Sequence, residues 1–219
     1  SGKVSVSRPG GCAIGVRPID IHLFGLKKLG VQIVESEDTI RCSSTKLKGT
    51  EIVLAFPSVG ATENIMMASI FAEGKTTIVN AAREPEIIDL AQFLNKMGGN
   101  VSGSGSSVIT IEGVKQLIPA IHTIIPDRIV TGTLIAAAGV TAGEISIHPV
   151  IPDHLLSVLN CMKLCGIEFE AKDSTLKVKA PKTIRPIENI RTEPYPGFPT
   201  DMQPQLISLL SLADRKSVV

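Results

Sequence analysis

The chain of 219 residues contains no tryptophan, one tyrosine and six phenylalanines. Its core must therefore be aliphatic, and the aromatic platforms on which single-stranded nucleic acids stack are not expected. Neither sign of charge dominates: 22 Lys and Arg against 21 Asp and Glu leave a net charge of +1. That balance excludes the basic footprint of a nucleic-acid binder and also an acidic tail. Any anionic ligand must be caught by local groups. No apolar run approaches the ~18 residues of a membrane span. The N-terminus lacks the charged and then apolar stretches of a signal sequence. The four cysteines, Cys12, Cys42, Cys161 and Cys165, are too few and too scattered for a disulfide scaffold. The expectation is a reducing, cytoplasmic setting, with no nucleic-acid partner and no membrane insertion. The first residue is serine and the last few read as a strand just starting, so both ends read as cut.

What the chain does have is a repeat. "RPIDIHLFGLKKLGVQIVESEDTIRCSS", "EPEIIDLAQFLNKMGGNVSGSGSSVITIEG" and "IPDHLLSVLNCMKLCGIEFEAKDSTLKVKA" resemble one another. Their leading prolines, Pro18, Pro85 and Pro152, are 67 residues apart, and the glycines Gly30, Gly98 and Gly166 are 68 apart. Equal spacing of this kind signals an internal repeat. Proline suits the first turn of a helix, and a nearby acid favours its positive end. Apolar residues then recur at helical spacing: Ile19, Leu23 and Leu26; Ile87, Leu90 and Leu94; Leu155, Leu159 and Met162. Glycine stops the helix, and two short β-branched runs around a polar turn predict a hairpin.

A second kind of helix lies between the copies, in "SVGATENIMMASIFAEG", "RIVTGTLIAAAGVTAG" and "PTDMQPQLISLLSLAD". These are apolar on most faces, which predicts burial all round. The unit is strand, buried helix, strand, amphipathic helix, hairpin: an α/β repeat of about 67 residues without the strand–GxGxxG–helix order of a dinucleotide-binding domain.

The stretch "RPGGCAIGVRP" sets Cys12 among glycines with Arg8 and Arg17 close by. A neighbouring cation lowers a thiol's pKa, so a reactive thiol and an incidental loop cysteine are both open. Arg17 is either a solvated arginine before a helix or a guanidinium fork for phosphate or carboxylate. Asp20 suits a first helical turn. Ser58, Val59 and Gly60 precede a buried helix, whose positive end is a ready anion site. Asp201 reads as a helix-start residue, Glu84 and Glu86 as partners of a helix dipole. Cys161 and Cys165, four apart on a helix, have no His or Cys pair at metal-ligand spacing and read as core-facing or incidental. No metal is expected, and His22, His122, His148 and His154 form no cluster.

Five ordered blocks carry a family resemblance: "RPGGCAIGVRPIDIHLFGLKKLG", "FPSVGATENIMMA", "NAAREPEIIDLAQFL", "IPDRIVTGT" and "RTEPYPGFPTDMQPQ". They resemble the UDP-N-acetylglucosamine enolpyruvyl (1-carboxyvinyl) transferases, which open bacterial peptidoglycan synthesis. The resemblance runs from about Val4 to the last residue and implies a full chain about twice this length. It implies an α/β fold of repeated βαβαββ units, three per domain, forming two inside-out α/β barrels with the active site in the cleft between them. Residues 1 to about 125 would be the latter two units of one domain, and residues from about 126 to 219 the start of the other. The family's N-terminal Lys-Asn pair, an upstream arginine and arginines near its C-terminus have no counterpart here, so the fragment alone should be inactive.

The resemblance also implies roles. Cys12 would be the general acid toward the methylene carbon of phosphoenolpyruvate, would form a covalent phospholactoyl-type adduct and would be the target of fosfomycin. Arg17 would bind the substrates' anionic groups, and Pro18, Ile19, Asp20 and Ile21 would contact the uridine. Ser58, Val59 and Gly60 would take the diphosphate. Asp201 would lie beside the sugar 3′-hydroxyl as general base or orienter. No cofactor is implied, because phosphoenolpyruvate is itself the activated group; the partners are phosphoenolpyruvate and UDP-N-acetylglucosamine. The cysteine loop, rich in glycine, would act as a lid. Two rivals remain: the shikimate-pathway enolpyruvyl transferase, which shares the repeat but lacks the cysteine loop, and a non-catalytic nucleotide-sugar binder on the same fold. For Glu84, Glu86, Asp127, Arg128 and His22 the residues leave the role open.

Overall fold

The structure is a computed structural model that describes residues 2–7, 18–213, 217 and 219. The chain divides into two compact units, residues 1–123 and 124–219.

The first unit runs β1 (Gly2–Ser7), α1 (Asp20–Lys28), β2 (Gln32–Glu35), β3 (Thr39–Ser44), β4 (Glu51–Val53), α2 (Val59–Ser69), β5 (Lys75–Val79), α3 (Pro85–Lys96), β6 (Asn100–Ser102) and β7 (Val108–Glu112). The second runs α4 (Arg128–Val140), β8 (Glu144–Ile147), a 3-10 turn at Pro152–Leu155, α5 (Leu156–Leu164), β9 (Glu168–Lys172), β10 (Thr175–Lys179), a 3-10 turn at Thr200–Met202 and α6 (Gln203–Leu210).

The repeat is present in the strand orders. The sheets are β1-β3-β2, β4-β5-β7-β6 and β8-β10-β9. In each, the strand before the amphipathic helix pairs antiparallel with the second strand of the following hairpin, as Thr77 pairs with Thr110 and Lys177 with Ser146. The segment β4–β7 is one complete copy, because among the described residues only there does a strand precede the buried-type helix and pair parallel, Ile52 with Ile78.

The same glycine ends each amphipathic helix. Gly30, Gly98 and Gly166 have φ of +96°, +94° and +95°. A Cβ in this left-handed region crowds the backbone, so glycine closes the helix and turns the chain into the hairpin. The helix starts are less uniform. Pro85 opens α3 as predicted, but Ile19 is the cap of α1 and leaves Pro18 outside it. In the third copy Pro152 opens a 3-10 turn, so Leu155 lies before α5 rather than inside it. Tight turns of that type are common at helix ends because they use the otherwise unpaired amides.

Both cores are aliphatic. Ile52, Ile65, Ile78, Ile87, Ile109 and Ile111 are fully buried in the first unit, and Ile135, Met162, Leu176, Val178, Leu206 and Leu209 in the second. Of the six phenylalanines only Phe198 is buried. Polar ties join the elements. The Thr62 hydroxyl donates to Ser58 O (2.8 Å) and accepts from Ala82 N (3.1 Å), which holds α2 to the β5–α3 connection. The Asn95 amide exchanges two 2.8 Å bonds with the backbone of Val101, pairing α3 with β6 as a strand would.

The expectation that α2, α4 and α6 are buried on every face is corrected. Each sinks one stripe into its own core, yet Met67, Val130, Leu134 and Ile207 remain 44%, 54%, 44% and 49% exposed. Apolar composition reports that a face avoids water, not which neighbour covers it. Within its unit each of these helices is covered along one stripe only, α6 by α4 rather than by a sheet.

Candidate functional site

In the first unit the α1 and α2 N-termini converge. Gly25 makes this approach close: a Cβ there would fall inside the side chain of buried Ile65. Just under one turn earlier, His22 on α1 faces the start of α2. Its Nδ1 lies 2.6 Å from Asn64 Nδ2, and its ring is so near Gly60 that a Cβ there would sit 3.1 Å from Cε1. An amide nitrogen can only donate, so His22 Nδ1 accepts and its proton resides on Nε2. Partial burial pushes the His22 pKa down, with Asp20 opposing, which favours this neutral form.

Ser58 caps α2, its Oγ accepting from Ala61 N at 3.4 Å. The first turn of α2 carries no acid, so the amides of Val59 and Gly60 head a positive helix end with no compensating side chain of its own. Pro18 and Asp20 are exposed, Ile19 and Ile21 half-buried, and Ile21 packs on the core. The structure thus brings His22 beside Gly60 and Asn64 at the start of α2. Cys12 and Arg17, with the lid glycines, lie outside the described residues.

Three carboxylates gather nearby. Glu63 on α2 has its pKa pushed up by burial first and then by the charges of Glu86 and Glu84. Glu84 is buried as the cap residue of α3 and Glu86 sits in that helix's first turn, so the helix-dipole role read from sequence has its geometry. Glu63 was not singled out by sequence, and neither was Asn64. Nothing local links position 64 to His22, 42 residues earlier.

In the second unit Asp201 is exposed in the 3-10 turn that leads into α6. Buried Phe198 and Met202 anchor the chain on either side of it. Asp127, whose role the sequence leaves open, is a helix cap: its Oδ1 accepts from Ile129 N (2.7 Å) and Val130 N (3.0 Å). Arg128 stacks its guanidinium over Tyr195, 5.5 Å from the ring centre. Cys161 and Cys165 are core residues, and burial pushes their thiols up to about 12 and about 11. Among the described residues no group of three or more His, Cys, Asp or Glu is placed to hold a metal ion. No helix among them is long and apolar enough to cross a membrane.

The chain is 51% identical over 218 residues to UDP-N-acetylglucosamine 1-carboxyvinyltransferase 1 of Caldanaerobacter subterraneus subsp. tengcongensis, covering 100% of this chain and 52% of that protein. The protein of the same name from Symbiobacterium thermophilum is 50% identical over 219 residues, with 100% and 49% covered. UDP-N-acetylglucosamine 1-carboxyvinyltransferase of Geobacter metallireducens is 47% identical over 218 residues, with 100% and 52% covered. The chain spans about half the length of these curated relatives. Among solved structures, the enolpyruvyl transferase NikO from Streptomyces tendae superposes with a TM-score of 0.81 at 20% identity, covering 99% of this chain and 53% of that one. EPSP synthase from Acinetobacter baumannii gives 0.60 at 19% identity, with 94% and 47% covered. These two likenesses bear on the fold alone, which is that of the enolpyruvyl transferases in mixed α/β form. The family model for EPSP synthase (3-phosphoshikimate 1-carboxyvinyltransferase) matches residues 1–218, and the chain belongs to that family.

Proposed function

We propose that a protein carrying this segment, together with the other half of the relatives' length, transfers the enolpyruvyl group of phosphoenolpyruvate to the 3′-hydroxyl of UDP-N-acetylglucosamine and releases phosphate. The observation that carries the reading is identity near 50% along the whole chain to proteins of that name. The chemistry follows from the residues proposed. The Cys12 thiol delivers a proton to the methylene carbon of phosphoenolpyruvate, and an oxocarbenium-like centre develops at its neighbour. Asp201 takes the proton of the sugar hydroxyl as the C–O bond forms. Loss of the added proton and of phosphate then restores the double bond. Arg17 offsets the anionic groups, Ser58, Val59 and Gly60 present amides to the diphosphate, and Pro18 to Ile21 border the uridine. Neutral His22, with Nε2–H next to Gly60, adds a donor at that end. A thiol that must hold a proton for transfer has to stay unoxidised, which suits the reducing, cytoplasmic setting proposed.

The finer architecture, two inside-out barrels each of three units with the reaction drawing on both, belongs to the same proposal. The family model's own description favours a second reading in which shikimate 3-phosphate accepts the enolpyruvyl group. One assay separates them: phosphate release by the longer chain from phosphoenolpyruvate with either acceptor. Release with the sugar nucleotide and its loss in Cys12→Ala are expected. Release with shikimate 3-phosphate alone, or undiminished turnover in Cys12→Ala, overturns the reading.

A further inference from the structure

Asp201 is exposed, and nothing in its own 3-10 turn fixes where its carboxylate points. The turn is nevertheless held from both sides by α4. On the near side, Met202 is fully buried against Gly132, where a Cβ would lie 2.7 Å from both its Sδ and its Cε. A Cβ there is accommodated only if the thioether end of the buried Met202 side chain shifts, and Met202 adjoins Asp201. On the far side, Arg128 covers Tyr195, which belongs to the loop that ends at Asp201. That loop is closed on itself by Gly197 N to Pro194 O (2.8 Å) and Glu193 N to Phe198 O (2.9 Å). It is tied outward by the Ser157 hydroxyl, which donates to Gly197 O at 3.0 Å. Just past the turn, Gln205 Nε2 donates to Thr133 Oγ1 at 2.9 Å.

Arg128 and Gly132 are four residues apart on α4 and so share one helical face. Asp127 anchors that face by capping its first turn. We infer that Arg128 and Gly132 are positioning residues for Asp201: one face of α4 sets the location of its carboxylate without touching substrate. The inference rests on the reading of Asp201 as the group that meets the sugar hydroxyl. Its physical basis is that a base acts only within hydrogen-bond reach of its proton, so a displacement of about 1 Å can lower the rate by about 100-fold.

The test is steady-state phosphate release by the longer chain, with thermal melting to compare folded states. Gly132→Ala should lower kcat by about tenfold to 100-fold while KM for both substrates stays within about twofold. Adding Met202→Val to Gly132→Ala conserves the number of heavy atoms and removes the clashing Sδ and Cε, so most of kcat should return. Tyr195→Leu should lower kcat in the same way, and Tyr195→Phe, which keeps a ring beneath the guanidinium, should restore it. Should Gly132→Ala not fold, the Tyr195 pair carries the test. Undiminished kcat in Gly132→Ala and Tyr195→Leu, or a loss that neither the second substitution nor Phe recovers, overturns the inference. Asp201→Asn separates the two levels. Full turnover in Asp201→Asn overturns the reading of Asp201 itself, whereas a dead Asp201→Asn beside an unaffected Gly132→Ala overturns only the positioning role.

Discussion

Cysteine shows how the same side chain divides by surroundings. Cys161 and Cys165 face the core of the second unit, and burial keeps their protons in place far above the ordinary thiol value of 9.0. In the unfolded chain both ionise near 9.0, while in the folded chain they hold on to about 12 and about 11. The unfolded state therefore binds fewer protons across that interval, and stability present below pH 9.0 is lost as pH rises toward the folded values. Urea unfolding followed by circular dichroism should show a midpoint that falls as pH rises above 9.0 toward about 11, where the unfolded thiols have ionised and the folded ones have not. Cys161→Ala with Cys165→Ala should flatten that fall. A thiol reagent at neutral pH should leave both unlabelled until denaturant is added. The four cysteines were legible as a set in the sequence, and these two read there as core-facing or incidental. Their protonation depends on what packs around them, which no spacing records.

At the scale of elements, the repeat was readable because it rests on local backbone demands. Proline, an apolar stripe, glycine and a β-branched pair of runs each act within a few residues. The glycine positions carried most of this, since all three adopt the same positive φ. Gly98 isolates the effect, because a Cβ there would meet no atom within 4 Å. Gly98→Ala should cost about 1–2 kcal/mol in urea unfolding through backbone strain alone. A shift near zero would mean the helix end relaxes into another turn. What local pattern did not reveal was the 3-10 start of the third copy or the pairing of His22 with Asn64. The first depends on small differences among tight turns, and the second on how α1 crosses α2.

For the molecule as a whole, the balance of charge and the shortage of aromatics predicted an aliphatic, near-neutral protein, and both cores have that make-up. The apolar faces left open on α2, α4 and α6 carry a further consequence, since exposed patches of this kind drive association. The 219-residue chain by itself should self-associate in sedimentation at micromolar concentration, and Leu134→Glu should reduce association with little change in melting temperature. If Leu134→Glu lowers the melting temperature as strongly as a core substitution, that face is structural within the unit.

The sequence by itself determined the repeat, its helix stops, its hairpins and the family blocks, because each is a short-range constraint of backbone geometry and side-chain type. Only the tertiary structure decided which distant residues meet. It set His22 against Gly60 and Asn64, made Asp127 a cap, and laid Arg128 over Tyr195 with Gly132 beneath Met202. Such contacts come from the packing of whole helices, whose angles and offsets are settled by many side chains at once and by no single motif.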